Sequence, residues 1–220
     1  MTAALPMRRY VFVRHDDVIR ERHPSATEDV HFAQAVVSAV LDDLTQPGDR
    51  VLDPFAGFGT TLCVAERNDR VATGVELMPE RCSVIRETAP NSVVVQGDSR
   101  RLLDLVDGPF DLVLTSPPYM TATNHPQDPF EAYEQLGATY DRYLDELTDV
   151  VRQAASLLRP TGHVVLNVAN IAAEDHFTPL AWDVARAVSR VATLRQDVVV
   201  CSDHPLADLA GDYLLVFTPR

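Results

Sequence analysis

Lysine is absent from this 220-residue chain, and all 19 basic residues are arginine. Its absence rules out a P-loop of the GxxxxGK[ST] type, and the all-arginine usage reads as a coding bias. Basic charge as a whole is scarce. Against 32 acids the formal net charge is −13, which excludes a protein that holds nucleic acid by broad phosphate neutralisation. Cysteine is scarce too: Cys63, Cys82 and Cys201 are widely spaced with no CxxC, so neither a disulfide framework nor a zinc site is expected. The seven histidines show no HExxH pattern, and no structural metal is expected. No apolar run nears the roughly 18 residues of a membrane span. Met1–Arg14 has no apolar segment before a small-residue cleavage site, so a reducing cytoplasm is expected and a secretory signal is not.

What is present is enough for a core. Hydrophobic residues make up 46% of the chain, which excludes disorder at this length. The charge is uneven. Residues 104–149 hold 10 acids and one arginine, a solvated acidic face, whereas residues 1–22 hold five arginines and three acids and offer the best anion contact. No repeat is visible.

Short β-rich runs alternate with helical ones. Tyr10–Val13, Arg50–Asp53, Val71–Val75, Ser92–Val95, Phe110–Thr115, His163–Val168, Val198–Cys201 and Tyr213–Phe217 read as strands. Glu28–Leu44, Thr60–Asn68, Pro79–Thr88, Arg100–Val106, Ala138–Leu158 and Pro179–Val191 read as helices, with Ser25 or Thr27 capping the first. This alternation predicts an α/β fold with a parallel sheet covered on both faces, and ligands at the carboxyl ends of its strands.

Three of those strand ends carry acids. Asp53-Pro54-Phe55-Ala56-Gly57-Phe58-Gly59-Thr60-Thr61 turns from strand to helix through two glycines, which let the backbone turn tightly and approach a ligand. Asp53 suits a cationic amine. Glu76, 19 residues after Gly57, can accept two ribose hydroxyls. Gly97-Asp98-Ser99 offers a carboxylate to an adenine amino group. Each acid taken singly also reads as a cap or turn residue. As an ordered set they fit an adenosine ligand without phosphates and with a positive amine, which is the chemistry of S-adenosylmethionine.

The fourth strand runs into Ser116-Pro117-Pro118-Tyr119. Consecutive prolines hold the backbone extended and remove two N–H donors. The segment then presents acceptors, the Ser116 side chain and the Pro117 carbonyl, to a planar exocyclic amine. Engaging both amine hydrogens draws the nitrogen lone pair out of conjugation, and Tyr119 can stack on the attached ring. The competing reading is an ordinary proline-rich loop.

On these motifs the chain resembles the amino-methylating DNA methyltransferases, most closely the SPPY type that acts on N4 of cytosine. Asp53–Thr61 resembles the family's DPFAGSGTT, with Phe58 in the serine position. Gly74-Val75-Glu76-Leu77 and Gly97-Asp98-Ser99-Arg100 are similar to its ribose-side and adenine-side turns. His23-Pro24 is similar to the stretch that caps the methionine end of the cofactor, and Glu134–Gly137 and Gly211–Phe217 resemble later segments. The resemblance implies a class I S-adenosylmethionine-dependent methyltransferase fold, Rossmann-like, with seven strands and the last antiparallel. It implies an N-terminal extension over 1–22 and one catalytic domain over 23–220. It implies cofactor contacts at His23, Asp53, Phe55, Gly57, Gly59, Thr60, Glu76, Leu77, Asp98, Ser99 and Ser116, and catalysis by Ser116, Pro117, Pro118 and Tyr119, with no metal.

The family's target-recognition region has no counterpart here, since only Ser202–Asp212 separate the last two strands. A nucleic acid substrate, DNA before RNA, is expected, with recognition supplied by a separate subunit. N6 of adenine as the methylated atom, RNA base methylation, a peptide or small-molecule amide, and a non-catalytic cofactor-binding homologue stay open as alternatives.

Overall fold

The structure is a computed structural model that describes residues 5–24, 26, 32–120, 129–131, 139–172, 176–204 and 209–220. Strands β1 (Tyr10–Val13), β2 (Arg50–Asp53), β3 (Val71–Glu76), β4 (Val93–Gln96), β5 (Phe110–Thr115), β6 (Leu158–Ala172), β7 (Phe177–Thr178), β8 (Thr193–Ser202) and β9 (Leu209–Thr218) form one sheet. Its order is β4-β3-β2-β5-β6-β9-β8-β1, with β7 paired to β6. All neighbours are parallel except β9, antiparallel to both β6 and β8, and β7, antiparallel to β6. The seven strands from β4 to β8 give the expected doubly wound sheet with an antiparallel last strand. β1 and β7 are additions to it. Residues 10–13, read in the sequence as part of an extension, are an edge strand of the same sheet. Buried Gln196 helps to seat that end, accepting from the Met7 N–H and donating to the Met7 and Arg8 carbonyls.

The helices are α1 (His15–Glu21), α2 (Gln34–Leu44), α3 (Thr60–Arg67), α4 (Pro79–Thr88), α5 (Leu102–Leu105), α6 (Tyr140–Ser156) and α7 (Leu180–Val188). One face of the sheet packs α2, α3 and α4 through Val37, Val40, Leu41, Leu62 and Ile85. The other packs α6 and α7 through Tyr143, Leu147, Val150, Leu180 and Val184. No helix among the described residues is long and apolar enough to cross a membrane.

Helix bounds follow capping chemistry. Pro79 opens α4 at its first turn, and the Thr139 hydroxyl accepts from the Arg142 N–H to start α6. Three expectations shift. Within the described residues the first long helix begins at Gln34, and the proposed caps Ser25 and Thr27 lie outside them, as does Ala138. Strands β6, β8 and β9 extend well past their apolar cores, because ladder pairing continues through polar residues such as Asp197 and Asp212 that give no hydrophobic signal. Helix α1 was not expected, since only Val18 in it is buried.

Candidate active site

The chain leaves β2 in one direction toward β3 and β4, and fills β5 and β6 on the other side. The point of reversal lies between β2 and β5, and the crevice outside their carboxyl ends is where such sheets bind ligands. A cleft of about 530 Å³ opens there, within the usual range for a small-ligand site. Among its lining residues are Asp53, Phe55, Gly57, Thr60, Glu76, Leu77, Asp98, Ser99 and all four of Ser116–Tyr119. The two sequence motifs thus share one wall-to-wall cavity.

Asp53 ends β2 with 2% exposure. Its Oδ1 accepts from the Phe55 N–H at 3.0 Å and from the Thr115 hydroxyl at 2.6 Å, which ties the ends of β2 and β5 together. Burial pushes its carboxyl up to about 6, against the opposing pull of those hydrogen bonds. Glu76 ends β3, also buried. One oxygen accepts from the Gly57 N–H and the other from the Met78 N–H, both at 2.8 Å, and burial raises its pKa in spite of them. Glu76 therefore fixes the glycine turn as well as facing the cleft. The 19-residue spacing between Gly57 and Glu76 is a direct hydrogen bond.

The two glycines do different work. Gly57 sits at φ +54° with open space around its missing Cβ, on the cleft wall. Gly59, at φ +87°, does not line the cleft. A Cβ there would lie 2.8 Å from Cγ1 of buried Ile85, so this glycine lets α3 pack on α4 and does not clear a path for the ligand.

Three other expected residues have partners of their own. His23 is not among the cleft-lining residues; its ring stacks at 4.8 Å on Phe58, which is. Arg81 lies 4.7 Å from the same Phe58 ring and lines the cleft too. Asp98 faces the cleft but is paired with the Arg100 guanidinium at 2.6 Å. Ser99 is buried and donates its hydroxyl to the Pro54 carbonyl.

On the other wall, the Pro118 carbonyl accepts from the Tyr143 hydroxyl at 2.9 Å, and the Tyr119 hydroxyl donates to the Asn167 carbonyl at 3.3 Å. These bonds hold the proline segment from outside. Asn167 in turn donates its amide to Asp212, whose carboxyl burial pushes up to about 7. Phe130, 5% exposed, lines the cleft and meets Phe55 edge-on at 5.7 Å. Arg22, Phe32, Arg81 and Phe130 line the cleft without having been read from the sequence. No local motif marks them. His125 and the Glu134–Gly137 stretch lie outside the described residues.

With this geometry in view, the comparisons are informative. A family model described as DNA methylase matches residues 15–87, the stretch that holds Asp53, the glycine turn and Glu76. The type II methyltransferase M.Cfr9I of Citrobacter freundii is 56% identical over 36 residues, 16% of this chain and 12% of that protein. The release factor glutamine methyltransferase of Deinococcus radiodurans is 33% identical over 136 residues, 57% of this chain and 49% of that one. The chain thus spans less than half the length of these curated relatives.

Solved structures give the fold. TrmN from Thermus thermophilus superimposes with a TM-score of 0.65 at 22% identity, over 89% of this chain and 51% of that one. The T. thermophilus 16S rRNA N2 G1207 methyltransferase RsmC, in complex with AdoMet and guanosine, gives 0.58 at 19% identity, over 90% and 45%. The fold is the class I methyltransferase fold, and S-adenosylmethionine is the cofactor that goes with this family and fold.

Proposed function

We propose that this methylase transfers a methyl group from S-adenosylmethionine to the exocyclic amino nitrogen of a nucleobase, N4 of cytosine in DNA. One observation carries the reading. The segment Ser116–Tyr119, whose two prolines have no N–H, lines the same cleft as the acids and glycine turn of β2, β3 and β4.

The residues present suit the cofactor. Asp53 and Glu76 place two buried carboxylates at adjacent strand ends, for a cationic amine and for ribose hydroxyls. Gly57 offers backbone without a Cβ. Leu77, Phe55 and Phe130 give apolar cover to a purine. Asp98, held by Arg100, keeps lone pairs for an adenine amino group. Thr60, at the first turn of α3, and Ser99 complete the lining, and His23 acts through Phe58. When bound, the cofactor supplies an electrophilic methyl on a sulfonium.

The chain's own residues do the rest. Ser116 and the Pro117 carbonyl orient the amine, and the Tyr143 hydroxyl on Pro118 fixes their approach. Tyr119 stacks on the base, its own hydroxyl anchored on Asn167. Positioning of this kind supplies most of the rate where no covalent intermediate is needed. A base inside a duplex must be extruded to reach such a site.

A second reading has its own support. The 33% identity to a glutamine methyltransferase points to a carboxamide nitrogen, which the same acceptors would hold. Incubation with methyl-labelled cofactor and single-stranded DNA, RNA or bacterial release factor separates these readings. N4-methylcytosine in hydrolysed DNA is the expected product. Label confined to glutamine, or to RNA, would replace the proposal by that substrate.

A further inference from the structure

Resting on that reading, we propose that Trp182 and Tyr213 form a stacking platform for a nucleobase flanking the target, on single-stranded nucleic acid entering the cleft. Trp182 is the chain's only tryptophan, and it is 44% exposed. Its ring lies 4.6 Å from that of Tyr213. Phe177, on β7, is 55% exposed at the same end of β6.

The pair is continuous with the catalytic wall. Tyr213 pairs across the sheet with Val168, next to Asn167, whose carbonyl takes the Tyr119 hydroxyl. Tyr119 and Tyr213 border the same apolar cluster. Gly211 allows the Tyr213 ring to lie back along β9, because a Cβ there would sit 2.8 Å from the Tyr213 hydroxyl.

Trp182 is also firmly mounted. The Ala181 N–H donates to buried Asn170 on β6, and Asp183 accepts from the Tyr140 hydroxyl, both at 3.0 Å. Residues on either side of the tryptophan are thus pinned while its ring faces out. One helical turn further, Arg186 carries an 83% exposed side chain, paired with Asp183 at 3.1 Å and within reach of a phosphate.

The platform answers a difficulty set by the net charge of −13. An acidic methylase gains little from phosphate neutralisation, but base stacking needs no net positive charge and tolerates any sequence. It is worth enough per base to raise affinity about ten-fold or more.

The test measures methyl transfer to a short single-stranded oligonucleotide with one central cytosine and to free deoxycytidine. Expected for Trp182→Ala is a KM for the oligonucleotide raised about ten-fold with kcat and the deoxycytidine KM unchanged, and Trp182→Phe should recover most of the loss. Because Trp182 is the sole tryptophan, its emission should quench as the wild-type protein is titrated with the oligonucleotide. Equal oligonucleotide KM in wild type and Trp182→Ala, with transfer intact, overturns the platform and leaves the functional reading standing. Transfer intact with no quenching at saturation overturns it as well and assigns the patch to a protein partner. No transfer to either substrate overturns both.

Discussion

The two walls of the cleft are built by different means. On the β2–β4 wall most carboxylate contacts are short in sequence and run to backbone: Asp53 to Phe55 two residues away, Glu76 to Met78 two away, and Glu76 to Gly57 nineteen away, beside two long contacts, Asp53 to Thr115 at 62 and Ser99 to Pro54 at 45. On the β5–β9 wall they are long: Pro118 to Tyr143 spans 25 residues, Asn167 to Asp212 spans 45, and Tyr119 to Asn167 spans 48. The wall proposed for the cofactor rests mainly on local turns, with Asp53 tied across to the other wall through Thr115. The substrate wall is assembled by the tertiary fold.

If that division holds, the largest effect of a single change falls on turnover alone. Tyr119→Ala and Ser116→Ala are each expected to lower kcat at least about 100-fold, with the calorimetric Kd for S-adenosylmethionine changed less than about two-fold. A parallel loss of cofactor affinity would show that the two walls are one energetic unit.

The glycine turn offers the next largest effect, and it splits the cofactor wall itself. Gly59→Ala forces a Cβ into Ile85 at a left-handed φ and should cost about 2–4 kcal/mol of unfolding free energy. Gly57→Ala has room, so it should cost only about 1 kcal/mol but weaken cofactor binding because its Cβ stands on the cleft wall. Urea denaturation alongside calorimetry distinguishes them, and the reverse ranking in stability would refute the packing role given to Gly59.

Asp53 sharpens the comparison through pH. The folded state raises its carboxyl from 3.8 to about 6, so it favours the protonated form. The ionised carboxylate costs stability above the folded value, and this cost disappears as pH falls below the unfolded one. Asn at this position keeps an oxygen for Thr115 and Phe55 without the charge. Asp53→Asn should therefore be more stable than wild type at neutral and alkaline pH, by on the order of 2 kcal/mol. The difference should close by about pH 4, and S-adenosylmethionine affinity should fall at least about ten-fold. Thermal melts across that pH range check the sign. A variant less stable at neutral pH would mean that the charge is compensated.

The same division explains how much could be read in advance. The alternating strands and helices follow from apolar periodicity, the antiparallel last strand follows from the family resemblance, and the acids proposed for the cofactor sit in motifs whose members are neighbours in the chain. Tyr143, Asn167 and Asp212 support the wall proposed for the substrate from distant strands and helices, and even where a resembling stretch such as Gly211–Phe217 holds one of them, nothing in it shows the partner. Asn167 sits inside an apolar strand as a lone polar residue, the only trace it leaves. The packing partner of Gly59 and the ion-pair partner of Asp98 escaped the sequence for a related reason. A local motif shows which residues meet, but the partners that occupy them, Ile85 and Arg100, are chosen by packing.

Phe58 is the smallest expected effect, and it tests whether the N-terminal stretch belongs to the cofactor wall. In this chain it replaces the serine of the motif the turn resembles. Its ring is stacked on His23 at 4.8 Å and lies 4.7 Å from the Arg81 guanidinium, so it bridges the segment before α2, the glycine turn and α4. Contacts of this kind are worth about 0.5–1.5 kcal/mol each where partly exposed. Phe58→Ser should lower stability by about 1 kcal/mol and weaken the cofactor a few-fold, with kcat at saturating cofactor unchanged. A second substitution, His23→Ala, should then add almost nothing, because its partner ring is already gone. Full additivity in that double-mutant cycle would remove His23 from the cofactor wall and leave Phe58 as a residue packed against Arg81 alone.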